Sequence, residues 1–244
     1  MTPGRGKVWF LGGGPGASDL LTVRAARALG EADVVVWGAS LFADTIVSDY
    51  ARQGAELVPW PPATMADIHA VYDRAGTERL VVARLLWGDP AMFGAIREEA
   101  QRARARDLDV EVVPGVTSLF AAAAALELEL TTAPRASAPL ILTAPREAPE
   151  SREELRALAR HGATMALFMV AKRAEELQSD LIEGGYCAAT PCAVAHRVTW
   201  DDEQVMTCRL DELAATIVGR DIQSRTLVIV GPAVSGHSEA PPAS

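Results

Sequence analysis

Short, mostly apolar runs that end on glycine or proline set the rhythm of the first half of the chain. Residues 7–12 (KVWFLG) read as a buried strand that runs straight into GGGPG, a sharp break. DVVVW at 33–37 and LVVARLL at 80–86 repeat the pattern, the second closed by Gly88-Asp89-Pro90, and the run at 110–113 stops at Pro114-Gly115. Between these runs the apolar positions recur at helical spacing. Residues 19–29 read as a helix on Leu20, Val23 and Leu29, with Asp19 placed to cap it. Residues 95–106 read as a charged helix in which Glu98 and Arg102 stand four apart, the mark of a solvated face. VTSLFAAAAALEL at 116–128 reads as a helix whose alanines allow close packing on a sheet. Strands alternating with helices predict a parallel α/β sheet.

The second half has a different rhythm. LILT (140–143), TMALFM (164–169), CAVAH (192–196) and TLVIVG (226–231) are strand-like, and QVMTC (204–208) is placed to form an antiparallel hairpin arm. Residues 153–159, 174–182 and 210–218 read as helices. A mixed sheet is expected here, with the domain junction near Pro114–Thr117. The expected organisation is an N-terminal α/β domain at 1–115, a C-terminal α/β domain at 116–234 and a disordered tail at 235–244.

Composition narrows the classes. A chain of 244 residues, 49% apolar, can bury one large core or two small ones. Its net charge of -9, with no basic block, disfavours nucleic acid and anionic membrane as partners. Cys187, Cys192 and Cys208 are odd in number and make no C-x-x-C pair, so neither a disulfide framework nor a structural zinc site is expected. No run has the length of a signal peptide or a membrane span, and a soluble, reduced, cytoplasmic protein is expected.

The glycine-rich loop at Gly12–Gly16 fits G-x-G-x-x-A through Gly12, Gly14 and Ala17. A dinucleotide site would want an acidic residue at the end of the second strand, where this chain has Trp37-Gly38-Ala39-Ser40. Pro15 also removes one of the amides a pyrophosphate would use. By itself the loop reads equally as a tight strand-to-helix turn, and Asp89 as a turn cap, while Met169 by itself reads as core. The four histidines, His69, His161, His196 and His237, form no ligand cluster, so no metal is expected, and no Ser-His-Asp set is present.

An ordered set of motifs carries more. GGGPGASDLLTVRA after the first strand is followed by GDPAMFGA (88–95), VVPGVTS (112–118), LELT (128–131), ALFM (166–169), VTWDDEQV (198–205) and a late LVIVG. This order and spacing resemble the tetrapyrrole methylase family over about residues 7–234, and within it the branch that methylates precorrin-4 at C-11 in cobalamin biosynthesis.

The resemblance implies two α/β domains with the active site in the cleft between them, a homodimer, and S-adenosyl-L-methionine as methyl donor with S-adenosyl-L-homocysteine as product. It implies donor contacts from Pro15, Gly88, Asp89, Met92, Phe93, Thr117, Ser118, Phe168, Met169, Ala195, Thr226 and Leu227. No catalytic acid or base is implied, because an enamine-like ring carbon needs alignment and dryness more than activation. An acceptor rich in carboxylates wants basic residues, and Arg84, Arg135, Arg146, Lys172, Arg173 and Arg197 are candidates, with Trp87 also placed to meet it. His196, beside the donor strand, reads first as a satisfied structural histidine and second as an acceptor contact.

The chain departs from that branch at Trp87, where a small residue is usual, at Ala144-Pro145-Arg146-Glu147, at Pro59-Trp60-Pro61-Pro62 and after the second strand. These departures leave two alternatives open: methylation of another, smaller or less charged acceptor, and a non-catalytic ligand-binding homologue.

Overall fold

The computed structural model describes residues 5–39, 41–42, 45–131 and 139–237. The chain forms two compact units, residues 1–118 and 119–244.

Among the described residues the first unit holds five strands: β1 (Lys7–Gly12), β2 (Val34–Trp37), β3 (Glu56–Pro59), β4 (Val81–Leu86) and β5 (Asp109–Val113). Their order is β3-β2-β4-β1-β5 and every pairing is parallel. The apolar runs of β1, β2 and β4 follow from burial on both faces. On one face α1 (Val23–Glu31) and α2 (Thr45–Tyr50) close a core of Leu11, Leu29, Val35, Trp37, Ile46 and Leu85. On the other, α3 (Met65–Glu78) and α4 (Ile96–Arg104) close one of Val8, Phe10, Val36, Ile68, Tyr72 and Val82.

Two local expectations change here, and one unannounced segment gains its elements. Asp19 does not cap the first helix. Residues 18–20 form a separate 3-10 turn, Leu21 is extended, and Thr22 accepts the amide of Ala25 through its hydroxyl to start α1. The segment 45–78, which no apolar run announces, contains α2, β3 and α3. A reciprocal Thr64–Asp67 box begins α3: the Asp67 amide donates to Thr64 Oγ1 at 3.2 Å and the Thr64 amide to Asp67 Oδ2 at 2.7 Å. Arg84 is unavailable to a ligand, because its side chain is buried toward α3 and α4, donating to Tyr72 Oη at 2.9 Å and to Glu99 Oε2. Arg102 donates to the other oxygen of Glu99 at 2.6 Å.

The second unit holds β6 (Leu140–Thr143), β7 (Thr164–Phe168), β8 (Pro191–His196), β9 (Gln204–Arg209) and β10 (Thr226–Val230), in the order β6-β7-β10-β8-β9. Among the described residues β6–β7 is parallel and the other pairings are antiparallel, so the sheet is mixed, and β9 is the expected antiparallel arm on β8. Helices α6 (Pro149–Ala159), α7 (Ala174–Glu183) and α8 (Leu213–Val218) cover one face, over Met165, Leu167, Val194 and Val228. Helix α5 (Ser118–Ala125) contributes Leu119 and its alanines to the other, against Ala166, Ala193, Ala195 and Ile229. Asp180 of α7, only 1% exposed, takes hydrogen bonds from Arg152 and Arg156 and pins α6 to α7. A 3-10 helix at Pro232–His237 runs into the stretch expected to be tail, while residues 238–244 lie outside the described ones.

Candidate active site

In an open parallel sheet, ligands settle beyond the carboxyl ends of the strands. In the first unit those ends belong to β1, β4 and β5, and three loops meet there almost without side chains. Gly14 and Gly88 form an antiparallel bridge, with the Gly88 amide 2.9 Å from the Gly14 carbonyl and the Gly14 amide 3.2 Å from that of Gly88. A Cβ on Gly115 would stand 2.2 Å from the Gly88 carbonyl oxygen and 2.6 Å from Gly12 Cα. Gly14 and Gly88 have φ of 75° and 64°, which favours glycine at both.

Asp89 holds this junction closed. Its Oδ1 accepts the Ala91 amide and its Oδ2 the Gly115 amide, each at 2.8 Å. The turn-cap reading is correct for the first contact. The second, a tie to the loop after β5, has its only sequence trace in the Pro-Gly of VVPGVTS. Pro15 and Thr117 are buried, Ser118 and Met92 half-buried. Phe93 is 52% exposed with φ of 57°.

Trp87 leaves β4 toward the core. Its ring is partly buried against the cluster that contains Trp9, Trp37 and Phe42. The indole nitrogens of Trp37 and Trp87 are buried with no hydrogen-bond partner among the described residues.

In the second unit, register gathers the expected donor residues into one row. Leu227 of β10 pairs with Phe168 of β7 on one side and Ala195 of β8 on the other, and Thr226 pairs with His196. Ala195, Thr226 and Leu227 are buried. Met169 is not core: one residue past β7, it adopts φ of 59° and is 69% exposed. His196 Nδ1 lies 3.0 Å from the Ser224 carbonyl, which can only accept, so Nδ1 carries the proton. Burial holds the His196 pKa below its ordinary value.

The basic candidates separate. Arg197 donates to Asp202 at 2.5 Å, and that hydrogen bond holds the Asp202 carboxyl below its usual range. Its guanidinium lies 4.2 Å over Trp200, and Arg225, absent from the sequence candidates, lies 5.1 Å over the same ring. Arg173 donates to Glu176 at 2.9 Å and to the Arg146 carbonyl. With Lys172 it lines a cavity of about 290 Å³ that also carries Glu175 and Glu176. Arg135 lies outside the described residues. Among the described residues no three His, Cys, Asp or Glu side chains are grouped to hold a metal.

A backbone-lined strand edge beside exposed apolar side chains suits a compact, partly apolar ligand more than a polyphosphate. Residues 7–214 match the family of Tetrapyrrole (Corrin/Porphyrin) Methylases. The chain belongs to the tetrapyrrole methylase family. It is 37% identical to the cobalt-precorrin-4 C(11)-methyltransferase of Methanocaldococcus jannaschii, over 92% of this chain and 87% of that protein. It is 33% identical to the precorrin-4 C(11)-methyltransferase of Mycobacterium tuberculosis, over 94% and 92%. Among solved structures, a cobalt precorrin-4 methyltransferase of cobalamin biosynthesis matches with a TM-score of 0.86 at 32% identity, covering 95% of this chain and 98% of that one. A uroporphyrin-III C-methyltransferase from Thermus thermophilus, complexed with S-adenosylhomocysteine, matches with a TM-score of 0.77 at 29% identity, covering 95% and 100%.

Proposed function

We propose that this protein is an S-adenosyl-L-methionine-dependent C-methyltransferase of corrin-ring biosynthesis that methylates precorrin-4, or its cobalt form, at C-11. The glycine junction at the ends of β1, β4 and β5 is the observation that carries the proposal. Its bare backbone can approach a ligand closely, as a compact sulfonium donor requires.

The donor contacts proposed in the first unit are Pro15, Gly88, Asp89, Met92, Phe93, Thr117 and Ser118. Those proposed in the second are Phe168, Met169, Ala195, Thr226 and Leu227, mostly apolar as an adenine face requires. Phe93 and Met169 support this, because each holds a large apolar side chain in water on a left-handed backbone. Methyl transfer is an in-line displacement, and the chain's work is to align the acceptor carbon with the methyl group and exclude water. Asp89 serves alignment by keeping two loops in register. His196, with its Nδ1 proton donated to Ser224, presents a neutral Nε2 to an acceptor.

A second reading, a less carboxylate-rich acceptor, is favoured by one observation. Of the basic candidates, Arg84, Arg173 and Arg197 are already engaged by Glu99, Glu176 and Asp202. Arg197 stays in the proposal as an acceptor-facing residue, and Trp87 only through the part of its ring that the core leaves uncovered. A homodimer in the cytoplasm completes it. The free thiols of Cys187, Cys192 and Cys208 fit a reducing compartment, and no helix among the described residues is long and apolar enough to cross a membrane.

Calorimetry against S-adenosylmethionine and NADH, followed by turnover assays, tests this. Sulfonium binding with S-adenosylhomocysteine released only when precorrin-4 or its cobalt form is supplied is the expected result. Turnover on another acceptor alone selects the second reading, and NADH binding without sulfonium binding overturns both.

A further inference from the structure

The second unit contains a pair of thiols that no step of methyl transfer uses. In the antiparallel pairing of β8 and β9, Cys192 stands directly opposite Cys208. The Leu210 amide donates to the Thr190 carbonyl at 2.8 Å in the same register, so 190/210 is a hydrogen-bonded pair. Two residues along, 192/208 is a pair of the same kind, and pairs of this kind place their Cα atoms about 5.5 Å apart. That spacing is the one most disulfides adopt, about 5.5–6 Å. The two side chains also share a face: Cys192 belongs to the core under α6, α7 and α8, and Cys208 packs against it. Both are free thiols.

The two differ in access. Cys192 is fully buried, whereas Cys208 is half-buried on β9, which ends the sheet. We propose that Cys192 and Cys208 are a modification site, a cross-strand pair that closes reversibly to a disulfide when the protein meets a low-molecular-weight disulfide oxidant. Cys208, as thiolate, attacks one sulfur of the oxidant, forming a mixed disulfide and expelling one small thiolate. Cys192 then attacks Cys208 Sγ, forming the cross-strand bond and expelling the second. The two cysteine protons end on the two small thiols, so two protein thiols are oxidised and one small disulfide is reduced.

Burial pushes the Cys192 thiol far above the ordinary thiol range and raises that of Cys208 as well. Closure is therefore slow at neutral pH and accelerates with alkalinity, roughly tenfold per pH unit while both thiols remain mostly protonated. The exposed Cys187, in the loop before β8, is the internal control.

The full-length protein is incubated in glutathione buffers of graded oxidation at several pH values, quenched by alkylation, and read by intact mass and peptide mapping. The expected product has lost two hydrogens, links the peptides of Cys192 and Cys208, and returns to the thiol form with excess glutathione. Cys187→Ser leaves the link unchanged and Cys208→Ser abolishes it. Glutathione added only at Cys187, with 192 and 208 still alkylated after unfolding, overturns the proposal, as does a link that involves Cys187. The wild-type peptide map decides this even if Cys208→Ser fails to fold, and neither outcome depends on the acceptor or the donor.

Discussion

At the ends of β1, β4 and β5 the first sheet presents backbone. Gly12, Gly88 and Gly115 pack main chain on main chain, and Asp89 closes the junction through amides. At the ends of β7 and β8 and the start of β10 the second sheet presents side chains: Phe168, Leu227 and Ala195 in one row, then His196 and Thr226, then Arg197 and Arg225 about Trp200. The first arrangement tolerates almost no added volume but asks little of side-chain chemistry. The second depends on which side chains are present, and single changes there should be graded. Their supports differ in the same sense, since Asp180 in the second unit holds two helices through a carboxylate between two arginines.

The hardest blow to this contrast is volume at the junction. Gly115→Ala puts a Cβ against the Gly88 carbonyl and Gly12 Cα, neither of which is a flexible side-chain end. It should cost about 3 kcal/mol of stability and abolish binding of S-adenosylmethionine, measured by urea unfolding and calorimetry. Near-wild-type values in both would show that the junction is slack.

Next is Asp180→Ala, which removes the carboxylate shared by Arg152 and Arg156 and leaves Arg156 its ion pair with Glu183 at 3.0 Å. The carboxylate is 1% exposed, but each arginine side chain is about one-third exposed, 36% and 33%. Water therefore reduces the loss to about 2 kcal/mol. The same site has a pH signature. Burial is the largest influence on Asp180 and acts to raise its pKa, yet the hydrogen bonds from the two arginines outweigh it, and the carboxyl sits below its ordinary 3.8. A depressed acid stabilises the fold fully above the unfolded value and ceases to as pH falls through the folded one. The wild type should therefore lose more stability than Asp180→Ala below that pH, and parallel acid-unfolding curves would contradict it.

Asp89→Asn is milder. The amide nitrogen cannot accept, so one of two backbone bonds is lost, at about 1 kcal/mol. Donor affinity should fall about tenfold, the equivalent of about 1.4 kcal/mol, with the fold intact. Unchanged affinity by calorimetry would remove Asp89 from the donor side. The smallest effect is expected from Arg225→Ala, which removes one of two cations over Trp200 for about 0.5 kcal/mol and should leave donor affinity alone. A large loss of donor affinity there would mean that the second sheet is as intolerant as the first.

Much of this was legible in the chain. Strand runs buried on both sides announce themselves because nearly every position must be apolar, as in β1, β2 and β4. The segment 45–78 was silent for the opposite reason. Edge strand β3 is exposed at Glu56 and Leu57 and has no apolar run, although the Thr64–Asp67 spacing was a usable start signal for α3. Asp19 and Thr22 are both good caps by residue type, and only the extended Leu21 decides between them. Arg84 reads as a ligand candidate because nothing local reveals Tyr72 and Glu99, which come from the helices α3 and α4.

The sequence by itself determined the two α/β units, the parallel and mixed sheets, the order of the motifs and hence the family. These depend on local periodicity and on turns written in glycine and proline, which a linear chain carries in full. Tertiary structure alone decided that Asp89 ties to Gly115, that Met169 stands in water, that Arg84 is spent inside the first unit, and that Cys192 faces Cys208. The contacts among these are meetings of residues distant in the chain, and the exposure of Met169 is likewise set by sheet register and helix packing, which no local pattern encodes.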